Sequence, residues 1–268
     1  MVESSGASDT WASGVAYDPF VGRWSRVVAD QFVPWLEIEP ERPWLDGGCG
    51  TGVLTRAILE LAAPREVVGV DPSDGFLAYA RTQTTDARAR FETGDAGALP
   101  FEDGLFHAVV SGLVLNFLPD PSLGLAEMRR VLRPGGTLAA YVWDYAGQMQ
   151  MLRYCWDAAR AADPLAGDLD EGRRFPICQP GPLRNAFEAA GLTRVQARAM
   201  DIATDFVDFA DYWSPFLGAQ GPAPGYVASV DEAARAALRE RIRAALPVRP
   251  DGSIHLVARA WCVRGQSP

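Results

Sequence analysis

Lysine is absent from this sequence: every one of the 25 basic residues in the 268-residue chain is an arginine. A chain without lysine has no side-chain amine that can form a Schiff base, so that form of covalent catalysis is excluded. The Tyr-x-x-x-Lys pair of many nicotinamide-dependent oxidoreductases is excluded for the same reason. The chemistry of this protein must therefore depend on other residue types.

Histidine and cysteine are scarce, and they form no cluster. The sequence holds two histidines, His107 and His255, and four cysteines, Cys49, Cys155, Cys178 and Cys262, with no C-x-x-C pair. Because metal sites need clustered ligands, we expect no metal site. Isolated cysteines are typical of reduced thiols in a cytoplasmic protein, and we expect that location.

Long apolar runs are missing as well. No stretch of about 18 uninterrupted apolar residues occurs, so we expect no membrane insertion. The first ten residues are polar and lack the basic and apolar regions of a signal peptide, so we expect a frayed tail there. The net charge of −9 argues against a nucleic-acid partner, because tracking phosphates requires clustered cations.

Apolar segments alternate with amphipathic ones through the first half of the chain. These patterns predict strands over 42–50, 66–72, 89–96, from residue 105 onward and over 137–144, helices over 52–63, 73–83 and 122–132, and a turn at 133–136. Strands that alternate with helices are typical of a parallel sheet covered on both faces. We expect an α/β fold with a doubly wound, Rossmann-like and mostly parallel sheet of about seven strands and helical lid elements.

The second half is less regular. Its patterns predict helices over 148–162, 181–192 and 231–246 and strands over 193–206 and 253–265. Segments 163–182 and 214–228 are rich in glycine and proline, which favours lids over interdomain linkers. We expect a single domain over 1–268. Its core covers about 42–144, 181–204 and 231–265, and its lid elements cover 1–40, 145–180 and 205–230.

A glycine cluster follows the first predicted strand, in the stretch LDGGCGTGVLT at 45–55. Such a cluster indicates a close approach of backbone to a ligand. The G-x-G-x-G spacing places Val53 where the dinucleotide fingerprint needs glycine, and no GK[ST] sequence forms a phosphate loop. Asp71 ends the second strand, 19 positions after Gly52, where a carboxylate can accept ribose hydroxyls. The residues therefore predict a site for an adenosine-like group without a diphosphate.

Four stretches in order, LDGGCGTG, VVGVDPS, TGDAGALPFEDGLFHAVVS and LRPGGTLAAYVWD, resemble the motifs of class I S-adenosylmethionine-dependent methyltransferases. They are similar to the small-molecule branch that includes quinone-biosynthesis methyltransferases. The resemblance covers roughly 42–144. The segment YDPFVGRWSR at 17–26 also resembles the leader helix of some members. The resemblance implies S-adenosyl-L-methionine as cofactor and S-adenosyl-L-homocysteine as product.

The resemblance implies a set of cofactor-binding residues. The stretch from Asp46 to Gly52 would hold the methionyl part through Asp46, Gly47, Gly48, Cys49, Gly50 and Gly52. Asp71 would bind the ribose hydroxyls, Pro72, Ser73 and Phe76 would border the adenine and ribose, and Asp95 and Ala96 would read the adenine edge. Ser111 and the residues just after it would floor the methyl-transfer pocket. Tyr17, Arg23 and Trp24 would close over the cofactor, with Arg23 a candidate for its carboxylate.

The implied reaction is in-line transfer of a methyl group to a small organic acceptor, for which substrates must be aligned and water excluded. No catalytic residue is assigned. His107 stands where related sequences commonly carry Asp, and we expect a structural role for it. The aromatic residues of the lids can line an apolar acceptor pocket or serve only lid packing.

Three alternative interpretations of the sequence are considered. A non-catalytic protein that binds S-adenosylmethionine or another nucleoside is possible because no acceptor base is identifiable. The glycines can also form only a tight turn, although Asp71 and Asp95 argue against that. Nucleic-acid amino methylation is disfavoured because SGLVLNFLPD at 111–120 stands where such enzymes carry a [DNS]-P-P-[YFW] motif. The sequence leaves the oligomeric state open.

Overall fold

A seven-stranded sheet forms the centre of the protein in a computed structural model that describes residues 22–218 and 221–268. The strands are β1 (Pro43–Gly47), β2 (Glu66–Asp71), β3 (Ala89–Thr93), β4 (Phe106–Gly112), β5 (Leu132–Trp143), β6 (Thr193–Phe206) and β7 (Ile254–Gln266). Their spatial order is β3-β2-β1-β4-β5-β7-β6. Strands β1 to β5 pair in parallel, and β7 runs antiparallel between β5 and β6. The predicted mostly parallel, Rossmann-like sheet is confirmed.

The helices fill the connections between strands. They are α1 (Arg23–Trp35), α2 (Val53–Leu61), α3 (Asp74–Gln83), α4 (Pro121–Val131), α5 (Gln150–Ala162), α6 (Glu171–Arg174), α7 (Pro180–Ala189), α8 (Phe209–Trp213), α9 (Pro222–Ser229) and α10 (Glu232–Ala245). Two of these helices have side-chain N-caps: Ser73 accepts the Phe76 N–H at 3.3 Å, and Asp231 accepts the Ala234 N–H at 2.8 Å. These side chains satisfy backbone donors that have no partner within the helix.

The alternation of side chains along the strands decides which residues face which helix. Asp46 is in register with Val110, and Val110 with Ala139, so these residues share one face of the sheet. Two positions further along β5, Tyr141 lies on that face and packs against Phe32 of α1, with ring centroids 4.9 Å apart. The opposite face is covered by α4, since a Cβ at Gly47 would lie 3.1 Å from Met128.

The prediction of a separate turn at 133–136 is wrong. Strand β5 runs without a break from Leu132 to Trp143, and its pairing with β4 shifts register between Phe106 and Ala108. Gly135 takes φ +74° there, and its N–H donates to the Ser267 carbonyl at 3.1 Å. Tertiary pairing with the chain terminus therefore keeps a turn-forming sequence in the strand.

The glycine- and proline-rich segments hold short helical turns. Segment 163–182 contains α6, the beginning of α7 and 3-10 turns at Pro164–Asp168 and Pro176–Cys178. Segment 214–228 contains a 3-10 turn at Ser214–Gly218 and most of α9. Within the described ranges, no helix has the length and apolar character needed to cross a membrane. The division into core and lid elements stays a prediction.

Candidate functional site

A cleft of about 280 Å³ opens where the parallel strands end. Ligands of open α/β sheets bind at this edge, because the loops after parallel strands diverge there. The first half of the cleft comes from the ends of β1, β2 and β3, and consists of Asp46, Gly48, Cys49, Gly50, Thr51, Val53, Leu54, Asp71, Pro72, Ser73, Phe76, Asp95 and Ala96. The second half comes from β4, β5 and α1, and consists of Gly112, Leu113, Val114, Phe117, Leu118, Tyr141, Trp143, Tyr145 and Ser25.

The glycine turn after β1 is bound to the neighbouring strand through its backbone. The N–H groups of Gly48 and Cys49 donate to the Val70 carbonyl at 2.7 and 2.9 Å. Gly48 has φ +78°, and a Cβ there would lie 2.6 Å from a methyl of Val114. Only glycine fits such a position without displacement. The turn therefore lies directly against the wall of the second half.

Asp71 connects the turn to the end of β2. Its Oδ2 accepts the Gly50 N–H, and its Oδ1 accepts the Ser73 N–H, both at 2.9 Å. The residue is 7% exposed, and burial raises the pKa of its carboxyl. An ionised carboxylate has about four lone-pair sites, so two further hydrogen-bond donors can still be accepted. The carboxylate is thus fixed in place with capacity for a ligand.

Asp46 of β1 is a lining residue of the cleft and is fully buried. Its Oδ2 accepts the Thr55 hydroxyl at 2.7 Å, while its Oδ1 has no partner among the described residues. Burial, with a smaller effect from the Asp71 charge, raises the pKa of Asp46 to about 7. A buried carboxylate oxygen without a partner is costly. A cationic donor bound at this point would remove that cost.

The structure brings most of the predicted cofactor residues together. Asp46, Gly48, Cys49, Gly50, Asp71, Pro72, Ser73, Phe76, Asp95 and Ala96 all line the cleft. Gly52 does not belong to the lining and is the N-cap of α2, with φ +77°. A Cβ at Gly52 would lie 3.3 Å from the Phe91 ring. Cys49 is buried, and burial raises the pKa of its thiol well above the usual range.

Gly47 and Ser111 are not among the lining residues, because they point to the other face of the sheet. The Ser111 hydroxyl donates to the Gly47 carbonyl at 2.7 Å, and the side chain is fully buried. Side chains alternate along β4, so Gly112 and not Ser111 shares the face of Tyr141. Ser111 therefore supports the turn from behind. The residues after it line the cleft.

Arg23 and Trp24 also lie outside the described lining of the cleft. Arg23 forms an ion pair with Asp211 at 3.2 Å, and its guanidinium lies over the rings of Trp24 and Phe206 at 4.4 and 4.9 Å. In this arrangement the Arg23 side chain connects α1 to β6 and α8. The third predicted closing residue, Tyr17, falls outside the described residues.

His107 and Asp144 lie away from the lining. His107 borders a separate depression that also contains Gly135 and Gln266, and burial lowers the pKa of its imidazole. Asp144 follows β5, and its carboxylate accepts the N–H groups of Gly147 and Gln148 at 3.1 and 2.9 Å. Asp144 therefore stabilises a turn, the capping role that such a residue commonly has.

Sequence reasoning missed the aromatic wall of the second half. Tyr141 and Trp143 of β5 line the cleft, as does Phe117 after β4. Phe175, which follows α6, packs edge-on against Phe117 with ring centroids 5.3 Å apart. The sequence does carry a signal for this wall: Tyr141 and Trp143 are two positions apart at the carboxyl end of the predicted strand 137–144. That spacing places both side chains on one face.

Comparisons with known proteins support a methyltransferase domain. A sequence profile described as "Methyltransferase domain" matches residues 45–140. The chain is 42% identical over 167 residues to demethylmenaquinone methyltransferase of Staphylococcus aureus, a match that covers 58% of this chain and 69% of that protein. It is 39% identical over 105 residues to an uncharacterised 37.1 kDa protein in transposon TN4556 of Streptomyces fradiae, covering 38% of this chain and 30% of that protein.

A solved structure shows the same fold. Phosphoethanolamine N-methyltransferase 2 of Haemonchus contortus, in complex with S-adenosyl-L-methionine, has a TM-score of 0.58 and 16% sequence identity. The likeness covers 95% of this chain and 56% of that one. A likeness at this level of identity supports a common arrangement of sheet and helices. It does not support a common acceptor molecule.

Proposed function

Because the chain belongs to the class I S-adenosylmethionine-dependent methyltransferases, whose methyl donor is S-adenosylmethionine, we propose that it methylates a small, largely apolar organic acceptor. One observation carries the proposal: the glycine turn and Asp71 share a single cleft with an apolar, aromatic wall. The first half has the polar groups that a nucleoside requires. The second half offers the apolar contacts that a small organic molecule requires.

The residues of the first half fit the cofactor. Asp71 has acceptor capacity for the ribose hydroxyls, and the unpaired Oδ1 of Asp46 suits the cationic amino group of the methionyl part. The left-handed Gly48 brings the backbone of the turn against Val114, where a Cβ would lie 2.6 Å from a methyl group. When bound, S-adenosylmethionine supplies a methyl group activated by a sulfonium sulfur.

The residues of the second half would orient the acceptor and exclude water. Leu113, Val114 and Leu118 are apolar, and Phe117 and Tyr145 are held by Phe175 at ring-centroid distances of 5.3 and 6.0 Å. In-line displacement depends mainly on alignment of the reacting atoms, for which a rigid wall is suited. The name of the Staphylococcus aureus relative gives a demethylmenaquinone as that protein's acceptor, which supports an apolar acceptor here.

We further propose that methyl transfer is in line and that the acceptor is not a nucleic acid. No residue is assigned as a general base. The exclusion of a nucleic-acid acceptor is supported by the net charge of −9. A cytoplasmic location also stays a prediction. Asp95 and Ala96 are proposed to border the adenine, since both line the first half of the cleft.

Calorimetric titration with S-adenosylmethionine and S-adenosylhomocysteine tests the cofactor assignment. We expect micromolar binding of both, and a loss of about tenfold or more in Asp71→Asn, because an amide replaces one acceptor oxygen by a donor. Asp86→Asn is the matched control, since Asp86 lies outside the cleft lining, is about one third exposed and pairs locally with Arg88. Equal affinity in wild type and Asp71→Asn would overturn the ribose assignment.

Turnover separates an enzyme from a nucleoside-binding protein without catalysis. Phenols, quinols and related ring compounds are incubated with the protein and S-adenosylmethionine. The products are then identified by mass spectrometry. We expect a gain of one methylene mass in at least one acceptor. Binding of the cofactor without any methylated product across the panel would favour the non-catalytic alternative.

A further inference from the structure

Trp143 is the last residue of β5, and its indole N–H is a donor without an acceptor in the part of the chain that the structure describes. The side chain lines the second half of the cleft and is 1% exposed, and its Nε1 has no hydrogen-bond partner among the described residues. A buried indole N–H usually finds a partner, because leaving it unpaired costs the full desolvation of the group. In this protein, Trp156 meets that rule by donating to Glu171.

The position of Trp143 in the sheet places it on the acceptor side of the cleft. Strand β5 is separated from β2 by β1 and β4, which is roughly 14 Å at the usual spacing of neighbouring strands. Asp71 at the end of β2 marks the nucleoside end. Tyr141, two residues before Trp143, shares its face of the sheet. Trp143 therefore lies at the acceptor side of the cleft and not at the nucleoside end.

The surroundings define the chemistry of the partner. An indole N–H donates only, so its partner must carry a lone pair. No arginine side chain belongs to the described lining of the cleft, whereas the carboxyl groups of Asp46, Asp71 and Asp95 do. An anionic oxygen would therefore find no basic side chain among these residues and would share the cleft with three acidic ones. The site therefore favours a neutral oxygen, such as a ketone or quinone carbonyl.

We propose that Trp143 Nε1 donates a hydrogen bond to a neutral carbonyl oxygen on a ring-bearing apolar acceptor, and so selects and orients that acceptor. This inference rests on the proposed function and adds one specificity-determining residue to it. The flat surfaces of Tyr141, Phe117 and Tyr145 provide the contacts for the ring, and the indole fixes its rotation in the cleft.

The test compares two probes that differ by one oxygen, 1-tetralone and tetralin, titrated by calorimetry into protein saturated with S-adenosylhomocysteine. We expect the wild type to bind the ketone about tenfold more tightly, which is the usual gain of one hydrogen bond. Trp143→Phe keeps an aromatic ring and removes the N–H. We expect this variant to bind both probes equally, with its affinity for tetralin unchanged.

Trp44→Phe is the matched control. Trp44 of β1 is fully buried and its Nε1 is also unpaired among the described residues, but the side chain does not belong to the described lining of the cleft. This variant should keep the tenfold preference for the ketone. The inference is overturned if the wild type shows no preference, if it binds neither probe, or if Trp143→Phe retains the preference. Binding of S-adenosylhomocysteine is recorded first, and its absence would refute the proposed function separately.

Discussion

Gly48 and Gly135 share a left-handed backbone, with φ of +78° and +74°, and differ in what surrounds them. A Cβ at Gly135 would meet no atom within 4 Å, whereas a Cβ at Gly48 would lie 2.6 Å from Val114. We expect Gly135→Ala to lower the free energy of unfolding by about 1 kcal/mol, the cost of the backbone conformation alone. Gly48→Ala should cost about 3 kcal/mol, because Val114 must also move. Urea unfolding of both variants measures the difference.

A second substitution checks the cause of that difference. Val114→Ala, added to Gly48→Ala, removes the methyl groups that the new Cβ meets and should recover part of the lost stability. Equal losses in Gly48→Ala and Gly135→Ala would show that the close approach of the turn to Val114 has no energetic weight.

At the residue level, the sequence singled out residues of the first half of the cleft and, from the second half, only those just after Ser111. Asp46 and Asp71 are recognisable because a carboxylate at the carboxyl end of a buried strand has few structural uses. Ser111 was placed in the methyl-transfer pocket, but strand alternation turns its side chain to the α4 face. Trp143 was not singled out, because an aromatic residue at the end of a strand is most often core. Its unpaired N–H becomes visible only with the side-chain contacts.

At the level of elements, the period of apolar residues predicted the type of most strands and helices. The exceptions have tertiary causes. The proline and two glycines at 134–136 predict a turn, but their backbone pairs within β5 and with the chain terminus. The short helix α6 was not predicted, because four residues are too few for a helical period. It is held by its surroundings and not by intrinsic propensity.

The beginning of α6 is held by a buried ion pair that offers a test. Asp170 is fully buried, and both oxygens accept from the Arg153 guanidinium of α5, one of them at 2.9 Å. Arg153→Met removes the guanidinium and leaves the carboxylate in place. We expect a loss of about 3 kcal/mol in the free energy of unfolding, since an unpaired buried charge is costly. Hydrogen exchange should accelerate at 164–178 and stay unchanged in β1.

The control for this substitution is an exposed pair of similar chemistry. Arg184 and Glu188 lie one turn apart on α7 at 2.8 Å, with about half of each side chain exposed. Arg184→Met should cost about 0.5 kcal/mol or less, because solvent screens such pairs. A loss in Arg153→Met as small as that in Arg184→Met would mean that Asp170 gains no stability from its partner.

At the level of the whole molecule, the sequence could not give the order of the last strands. Strands β6 and β7 are 47 residues apart along the chain, yet β7 lies between β5 and β6 and pairs with both. The alternating pattern identifies each as a strand and says nothing about its neighbour. The order is seen only in the pairing of the strands, because β7 is hydrogen-bonded to β5 on one side and to β6 on the other.

Stability should depend on pH through buried carboxyls, chiefly those of Asp46 in β1 and Glu171 in α6. Burial raises the pKa of Asp46 and of Glu171 to about 7, from ordinary values near 4. Between these values the folded protein holds protons that the unfolded chain has released, so stability falls as pH rises. For the cofactor-free protein, we expect the free energy of unfolding to decrease from about pH 5 to pH 7.5. Each group contributes at most about 1.4 kcal/mol per pH unit.

Asp46→Asn combined with Glu171→Gln should flatten this dependence, because neither amide titrates. Asp251→Asn is the control: the exposed Asp251 has a lowered pKa through hydrogen bonds from Ser253, so its contribution changes only in more acidic solution. His107 acts in the opposite sense, since burial lowers the pKa of its imidazole and favours the folded state as pH rises past that value. The slope of the wild type therefore combines these two carboxyls and Asp71, whose pKa burial also raises, less the histidine. Chemical unfolding at half-unit steps of pH measures this slope. A wild-type stability that rises from pH 5 to 7.5 would contradict the raised pKa values of Asp46 and Glu171.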